Sequence, residues 1–72
     1  MKVYAFRVVF WGEEKITHTM IGFTCGENRD AAYGQAVEAW GKLAEYQPLT
    51  HEEANAHTLS GVAVGYWPRA AD

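Results

Sequence analysis

Cysteine is nearly absent from this chain. Cys25 is the only one among 72 residues, so no disulfide can form within the molecule. A lone thiol is typical of proteins that work in a reducing compartment. We therefore expect a soluble cytoplasmic protein. So short a chain has only a small core, which leaves oligomerisation or a metal as further sources of stability.

Basic residues are scarce and scattered. Lysine and arginine together number 6, against 9 aspartates and glutamates, which gives a net charge of −3. A surface that binds phosphates needs clustered lysine and arginine, and the sequence contains no such run. The composition therefore argues against direct binding of nucleic acid, and the acidic excess is too small for a mimic of DNA.

Long apolar runs and cofactor motifs are also lacking. No segment approaches the length of a transmembrane helix. Lys2 is followed by an alternating pattern, whereas a signal peptide has a continuous apolar run. The glycines, such as Gly22 and Gly26, lack the spacing of a phosphate-binding loop. We therefore expect no membrane contact, no cofactor and no enzymatic activity.

The opening segment predicts a β-hairpin that is apolar on both faces. Residues 2–11 and 16–25 are rich in β-branched and aromatic residues, which favour strands, and residues 12–15 form the turn. Placing Trp11 opposite Ile16 divides the side chains into two rows. The row predicted to face the core contains Tyr4, Phe6, Val8, Phe10, Ile21 and Phe23. The outer row contains Arg7, Val9, Trp11, Ile16, His18 and Met20.

A helical pattern follows the hairpin. Residues 29–46 place apolar side chains at steps of three and four, and Asn28 or Asp30 can cap the helix. Pro48 is expected to end it. The segment from Thr50 to Glu53 matches a capping box, which predicts a short second helix through about residue 56.

The last apolar segment, residues 58–67, predicts a third strand that ends before Pro68. The elements therefore predict an α+β fold of order ββα(α)β, in one domain of residues 1–68 with a frayed tail at 69–72. A right-handed crossover places the third strand beside the first. We expect a three-stranded antiparallel sheet of order 2-1-3, with one main helix packed on one face.

One helix can cover only one face of this sheet, so the outer row predicts an interface. Contiguous exposed apolar residues mark binding surfaces, and tryptophan and arginine dominate binding hot spots. Isolated exposed apolar residues are ordinary, and residues 49–56 could instead fold across this face as a second core. The predicted partner-binding residues are Arg7, Val9, Trp11, Glu13, Glu14, His18, Met20 and Trp67.

The length, the ββαβ order and the alanine-rich segment at residues 31–41 (AAYGQAVEAWG) resemble small phage proteins that disable bacterial defences. Within them, the chain most resembles the anti-CRISPR proteins directed at type I systems. A weaker similarity is to HicB-type antitoxins, although this chain lacks their acidic, glycine-rich strand connection and their DNA-binding extension. Such families share almost no sequence, so the resemblance assigns no role to any residue.

The resemblance implies a phage-encoded, non-catalytic inhibitor that binds a bacterial protein or ribonucleoprotein complex in the host cytoplasm. The exposed sheet face or edge would carry the contact. The alternative is a small structural or regulatory homo-oligomer, in which the sheets of two copies stack. A third possibility is a metal-binding or enzymatic domain that uses Glu53 and His57, whose i,i+4 spacing on a helix suits a pair of ligands.

Overall fold

The structure is a computed structural model that describes residues 2–67. The mixed α and β character expected from the sequence is confirmed, but these residues form a sheet of four strands and two helices. Pro68 and the predicted tail lie outside the described residues. In chain order the elements are β1 (Lys2–Gly12), β2 (Lys15–Gly26), α1 (Arg29–Trp40), β3 (Glu45–Leu49), α2 (His51–Leu59) and β4 (Ala63–Trp67).

The β1–β2 hairpin forms the centre of the sheet and contains a β-bulge near its turn. Trp11 pairs with Ile16, as the sequence predicts, but Phe10 pairs with His18. Thr17 is therefore an extra residue in β2, which shifts the register by one from this point to the end of the hairpin.

The bulge reverses the predicted faces of β2. Met20 pairs with Val8, and Ile21 pairs with Arg7, so Met20 lies on the face that was predicted to be the core and Ile21 lies on the other. Phe23 changes face in the same way. A shift of one residue has this effect because side chains alternate between the two faces of a strand. The predicted rows are right for β1 and for Ile16, and they are wrong for the part of β2 that follows the bulge.

Helix α1 ends earlier than predicted, and the chain then forms a strand. Asn28 caps its start, with the side-chain oxygen accepting from the Ala31 N–H at 2.9 Å. Gly41 ends it with φ of 94°, a left-handed conformation that glycine adopts without strain. Residues 45–49 then form β3, antiparallel to β1. The sequence analysis missed this strand because proline is rare within strands. Pro48 is tolerated here since β3 is an edge strand.

The last strand lies on the other side of the hairpin from its predicted place. β4 runs parallel to β2, from Met20 paired with Ala63 to Thr24 paired with Trp67, and the sheet order is β3-β1-β2-β4. The predicted order 2-1-3 and the antiparallel pairing of the last strand with β1 are therefore wrong. β3 takes the position beside β1, as expected for the strand that follows the α1 crossover.

The two helices cover opposite faces of the sheet. The crossovers through α1 and α2 both join strands that run in the same direction, and they cross the sheet in opposite directions. Two crossovers of the same hand then place their helices on opposite faces. The α1 core buries Phe6, Val8, Ala32 and Ala36. The α2 core buries Ala5, Ile21 and Ala54.

Helix α2 therefore overturns the prediction that one face is uncovered. It begins with the capping box predicted from Thr50 and Glu53 and continues to Leu59, past its predicted end. Ala54 packs on the face that was assigned to the interface. Neither helix in the described residues has the length and apolar character of a membrane-spanning helix.

Trp40, at the end of α1, packs over two glycines in adjacent strands. Gly22 of β2 and Gly65 of β4 are register partners. A Cβ atom on Gly22 would lie 2.6 Å from Trp40 Cζ3, and one on Gly65 would lie 3.3 Å from Trp40 Cζ2. The indole thus occupies the space that side chains at these positions would take, and it fixes the end of α1 over the boundary between β2 and β4.

Candidate functional site

The hairpin extends beyond the strands that flank it. β3 pairs only with residues 5–9 of β1, and β4 pairs only with residues 20–24 of β2. Within the described chain, residues 10–18 therefore pair only with one another. We call this two-stranded ribbon the hairpin arm. The two strands of the arm are hydrogen-bonded to each other, and the arm extends past the ends of β3 and β4.

Two glutamates form the tip of the arm. Gly12 pairs with Lys15, which leaves Glu13 and Glu14 as a two-residue loop. Their φ angles are 38° and 70°, and positive φ at both loop positions is typical of a type I′ turn, whose twist matches that of the strands. Asparagine and glycine are the residues that favour this turn. Glutamates here place two carboxylates at the end of the arm in spite of the backbone conformation.

One face of the arm exposes an apolar pair. Trp11 and Ile16 are register partners, so their side chains share a face. Trp11 is 46% exposed and Ile16 is 49% exposed. Further along the sheet, α2 covers this same face. Trp11 and Ile16 lie on the arm, past the part of the sheet that α2 covers.

The opposite face of the arm carries a stacked aromatic pair. The rings of Phe10 and His18 have centroids 4.2 Å apart at an angle of 18°. Thr17, the extra residue of the bulge, donates a hydrogen bond from its hydroxyl to the Phe10 carbonyl at 3.1 Å. The bulge therefore places His18 opposite Phe10, so the arm has an aromatic pair on this face and the apolar pair on the other.

The structure brings together four of the eight predicted partner-binding residues. Trp11, Glu13, Glu14 and His18 all lie on the arm and are all exposed. Their grouping follows from the hairpin register and not from a shared sheet face. The predicted core face of Phe10 is confirmed, since Phe10 packs against the α1 core. Sequence reasoning missed its stacking on His18, because nothing in the alternation of residues marks the bulge, and it left Ile16 out of the predicted site although it paired Ile16 with Trp11.

The other four do not form part of this group. Val9 is buried, at 2% exposure, and Met20 packs against the α1 core. Trp67 pairs with Thr24 on the face that α1 covers. Arg7 is half-buried on the α2 face and donates from Nη1 to Gln47 Oε1 at 3.2 Å. The single outer face predicted from the sequence is wrong, because α2 covers one part of it and the bulge moves another part to the other side.

Two shallow grooves lie on either side of β4. One has a volume of about 570 Å³ and is partly polar, and in it the His51 ring Nε2 lies 3.0 Å from the Val3 carbonyl oxygen. The other, of about 480 Å³, lies beside the end of α1. The first is lined by Val3, Phe23, His51, Glu52, Asn55, Thr58 and Tyr66. The second is lined by Ala39, Trp40, Val64, Gly65, Tyr66 and Trp67.

Of the pair considered as metal ligands, Glu53 is part of the cap that begins α2, and His57 lies in the last turn of that helix. Glu53 Oε1 accepts from the Thr50 N–H at 2.9 Å, and the Thr50 hydroxyl accepts from the Glu53 N–H at 3.1 Å. Hydrogen bonding to Thr50, first from its backbone N–H and then from its side chain, holds the pKa of Glu53 below its ordinary value, and nearby His57 has a smaller effect in the same direction. Among residues 2–67, no group of three or more histidine, cysteine, aspartate or glutamate side chains is arranged to hold a metal ion.

Tyr46 connects β3 to the helix above it. Its hydroxyl donates to the Gly41 carbonyl, just past the end of α1, and its ring meets that of Tyr33 edge to face at 5.4 Å. Burial, with a smaller effect of Tyr33, raises the pKa of Tyr46. This arrangement holds the turn after α1 in place.

The arm and the two grooves are thus the surfaces with distinctive chemistry in the described residues. Comparison of the chain with protein-family models, with curated proteins and with solved structures gives no significant match.

Proposed function

We propose that this protein is a non-catalytic binding protein that engages its target through the hairpin arm. The observation that carries the proposal is the composition of the arm. It combines Trp11 and Ile16 on one face, a stacked aromatic pair on the other and two carboxylates at the tip. Half-exposed tryptophan on a projecting element is typical of residues that anchor protein interfaces.

Trp11 can contribute a large share of the binding free energy. A tryptophan side chain buries up to about 250 Å², and 46% of this residue remains exposed. Covering that remainder removes roughly 100 Å² from water, which is worth about 2.5 kcal/mol at about 25 cal/mol per Å². This corresponds to about 60-fold in affinity, so loss of Trp11 is expected to have an effect typical of a hot spot.

We further propose that the target is a bacterial protein or ribonucleoprotein complex and that the protein is a phage-encoded inhibitor acting in the host cytoplasm. The small size, the acidic charge and the alanine-rich segment at residues 31–41, which resembles anti-CRISPR proteins, support this reading. Glu13 and Glu14 at the tip favour approach to a basic surface, such as one that normally receives nucleic acid. The arm would then block that site sterically, with no chemical step.

Homo-oligomerisation through stacked sheet faces has less support. Each face of the sheet carries a helix, α1 on one side and α2 on the other. Two sheets could stack only where neither helix intervenes, and the arm is too narrow to supply such a face.

Quantitative affinity capture from bacterial lysate tests the arm directly. We expect the wild type to retain a specific protein set that Trp11→Ala loses, because the anchor is removed. Leu43→Ala is the matched control, since Leu43 is 93% exposed and lies outside the arm. Circular dichroism confirms that both variants are folded.

The identified target should then bind Trp11→Ala at least tenfold more weakly than wild type in a purified assay, while Leu43→Ala binds normally. Equal capture by the wild type and Trp11→Ala would contradict the role of the arm. Loss of capture in Leu43→Ala alone would place the interface near residue 43.

A further inference from the structure

The two lateral edges of the sheet differ in chemistry. Natural proteins block edge strands with charged residues or proline to prevent pairing with other chains. β3 follows this practice, with Glu45 at its start and Pro48 within it. β4 has the sequence AVGYW, which contains neither a charge nor a proline. One edge is protected against pairing and the other is not.

The outer edge of β4 has room for another strand. In the part of the chain that the structure describes, β4 is the last strand of the sheet and pairs only with β2. Its outward N–H and C=O groups therefore lack ladder partners. The two grooves flank this strand, and Tyr66, which lines both, is 66% exposed. α1 and α2 lie mainly over β2 and β1, so neither helix is centred on the edge.

We propose that β4 pairs antiparallel with β4 of a second copy of this chain, around a two-fold axis at Gly65. The sequence of the strand is self-complementary in this register. Gly65 lies opposite its own symmetry mate, Val64 opposite Tyr66, and Ala63 opposite Trp67. Each large aromatic side chain thus meets a small or β-branched one, and directly opposite residues share a face of the sheet.

The absence of charge from β4 favours a second copy as the occupant. A two-fold axis brings identical surfaces together, so charged residues near the axis would face like charges, and AVGYW contains none. The grooves on both faces of the edge leave space for the side chains of the added strand. The product is a continuous sheet of eight strands, twice the four in one chain.

This interface goes beyond the proposed function and does not depend on it. The arm contributes no residue to the β4 edge, so each copy in the dimer keeps its own arm exposed. Two arms on one assembly would allow bivalent engagement of a target that is itself symmetric or repeated.

Sedimentation equilibrium over a wide range of concentrations tests the proposal. We expect the average mass of the wild type to rise with concentration from 8.0 kDa toward twice that value. Tyr66→Lys and Ala63→Lys, made separately, should each raise the dimer dissociation constant by about tenfold or more, since a two-fold interface counts each change twice. Leu59→Lys is the control, because Leu59 is 80% exposed on α2 and lies outside β4.

Amide hydrogen exchange gives a second measurement that does not depend on the variants folding. The amides of β4 should become more protected as the concentration of the wild type rises, while those of β3 stay unchanged. A wild type that remains monomeric throughout would overturn the proposal. So would a dimer that both edge variants retain, or one that Leu59→Lys or Trp11→Ala abolishes instead.

Discussion

Replacing Gly22 with alanine should destabilise this protein, although alanine normally suits a strand better than glycine. The new Cβ would lie 2.6 Å and 2.7 Å from two ring carbons of Trp40, where ordinary contact begins at 3.4 Å. The indole must therefore retreat by about 0.8 Å or rotate out of its place. Overpacking of this kind costs about 1–3 kcal/mol, against a gain of about 0.5–1 kcal/mol from replacing glycine. The net loss should be about 1 kcal/mol, within a range of about 0–2.5 kcal/mol.

A double-mutant cycle identifies the indole as the cause. In a Trp40→Leu background the ring atoms that meet the new Cβ are gone, so Gly22→Ala should become neutral or stabilising by about 0.5–1 kcal/mol. The coupling free energy between the two positions should then be about 1–3 kcal/mol, which is within the range seen for residues in contact. Urea denaturation followed by far-UV circular dichroism measures the free energy of unfolding of all four proteins. This signal does not depend on tryptophan fluorescence, which the change at Trp40 would alter.

Gly34→Ala is the matched control for this experiment. Gly34 lies within α1, and a Cβ there would meet no atom within 4 Å. Alanine should therefore stabilise the helix by about 1 kcal/mol, which corresponds to a rise of about 4–8 °C in Tm for a domain of this size. If Gly22→Ala costs the same with and without Trp40, the indole is not what requires glycine at this position, and the packing argument fails.

Three further changes test local features of the fold. Glu14→Gly should raise the free energy of unfolding by about 1 kcal/mol, because a residue with a side chain is strained at φ of 70°. Glu14→Gln removes only the charge and should not raise it. Equal effects of the two changes in thermal melts would contradict the role of the backbone conformation. Thr24→Val should lower stability by about 1 kcal/mol, since the buried hydroxyl donates to the Ala32 carbonyl at 2.8 Å; an unchanged urea midpoint would argue against that bond. Hydrogen bonds to Thr50 lower the pKa of Glu53 in the folded protein. The ionised carboxylate therefore stabilises the fold at pH above its ordinary pKa of 4.5, and this stabilisation is lost as pH falls through the lower pKa of the folded state. The stability difference between the wild type and Glu53→Gln should disappear in acid, and a difference that persists there would exclude the carboxylate as its source.

Local signals in the sequence predicted the parts of the fold that depend on neighbouring residues. The start of α1 follows from the side chain of Asn28, and the capping box of α2 follows from Thr50 and Glu53. The pairing of Trp11 with Ile16 follows from a short turn between two strands. Each of these depends on atoms within a few residues of one another, so the sequence pattern contains the information.

The errors arose where backbone conformation or distant pairing decided the outcome. The extra residue at Thr17 leaves no mark in the alternation, yet it reverses the faces of the rest of β2. Gly41 ends α1 through a positive φ, whereas apolar spacing continues through Leu43, a residue that is 93% exposed. The choice of β2 as the partner of β4 depends on contacts remote in sequence, and no local pattern specifies it.

The candidate site was predicted in part for the same reasons. Trp11, Glu13 and Glu14 lie at the turn, where the predicted register is correct, and they remain together in the structure. Val9 and Met20 lie beyond the bulge or beneath a helix, and both are removed from the surface that the sequence analysis gave them. A prediction for residues near a hairpin turn is therefore more secure than one that depends on which face a helix covers.

The central place of the hairpin has a consequence for the order of assembly. Its strands meet through a two-residue loop, whereas each edge strand pairs with a residue roughly 40 positions away, as Arg7 does with Gln47. Hairpins form in about 1–10 μs, and distant pairings must first overcome the entropy of loop closure. We expect the hairpin to nucleate folding, with β3 and β4 docking later on its separate sides. The end of that nucleus is also the arm, so the proposed binding surface lies on the segment that we expect to fold first.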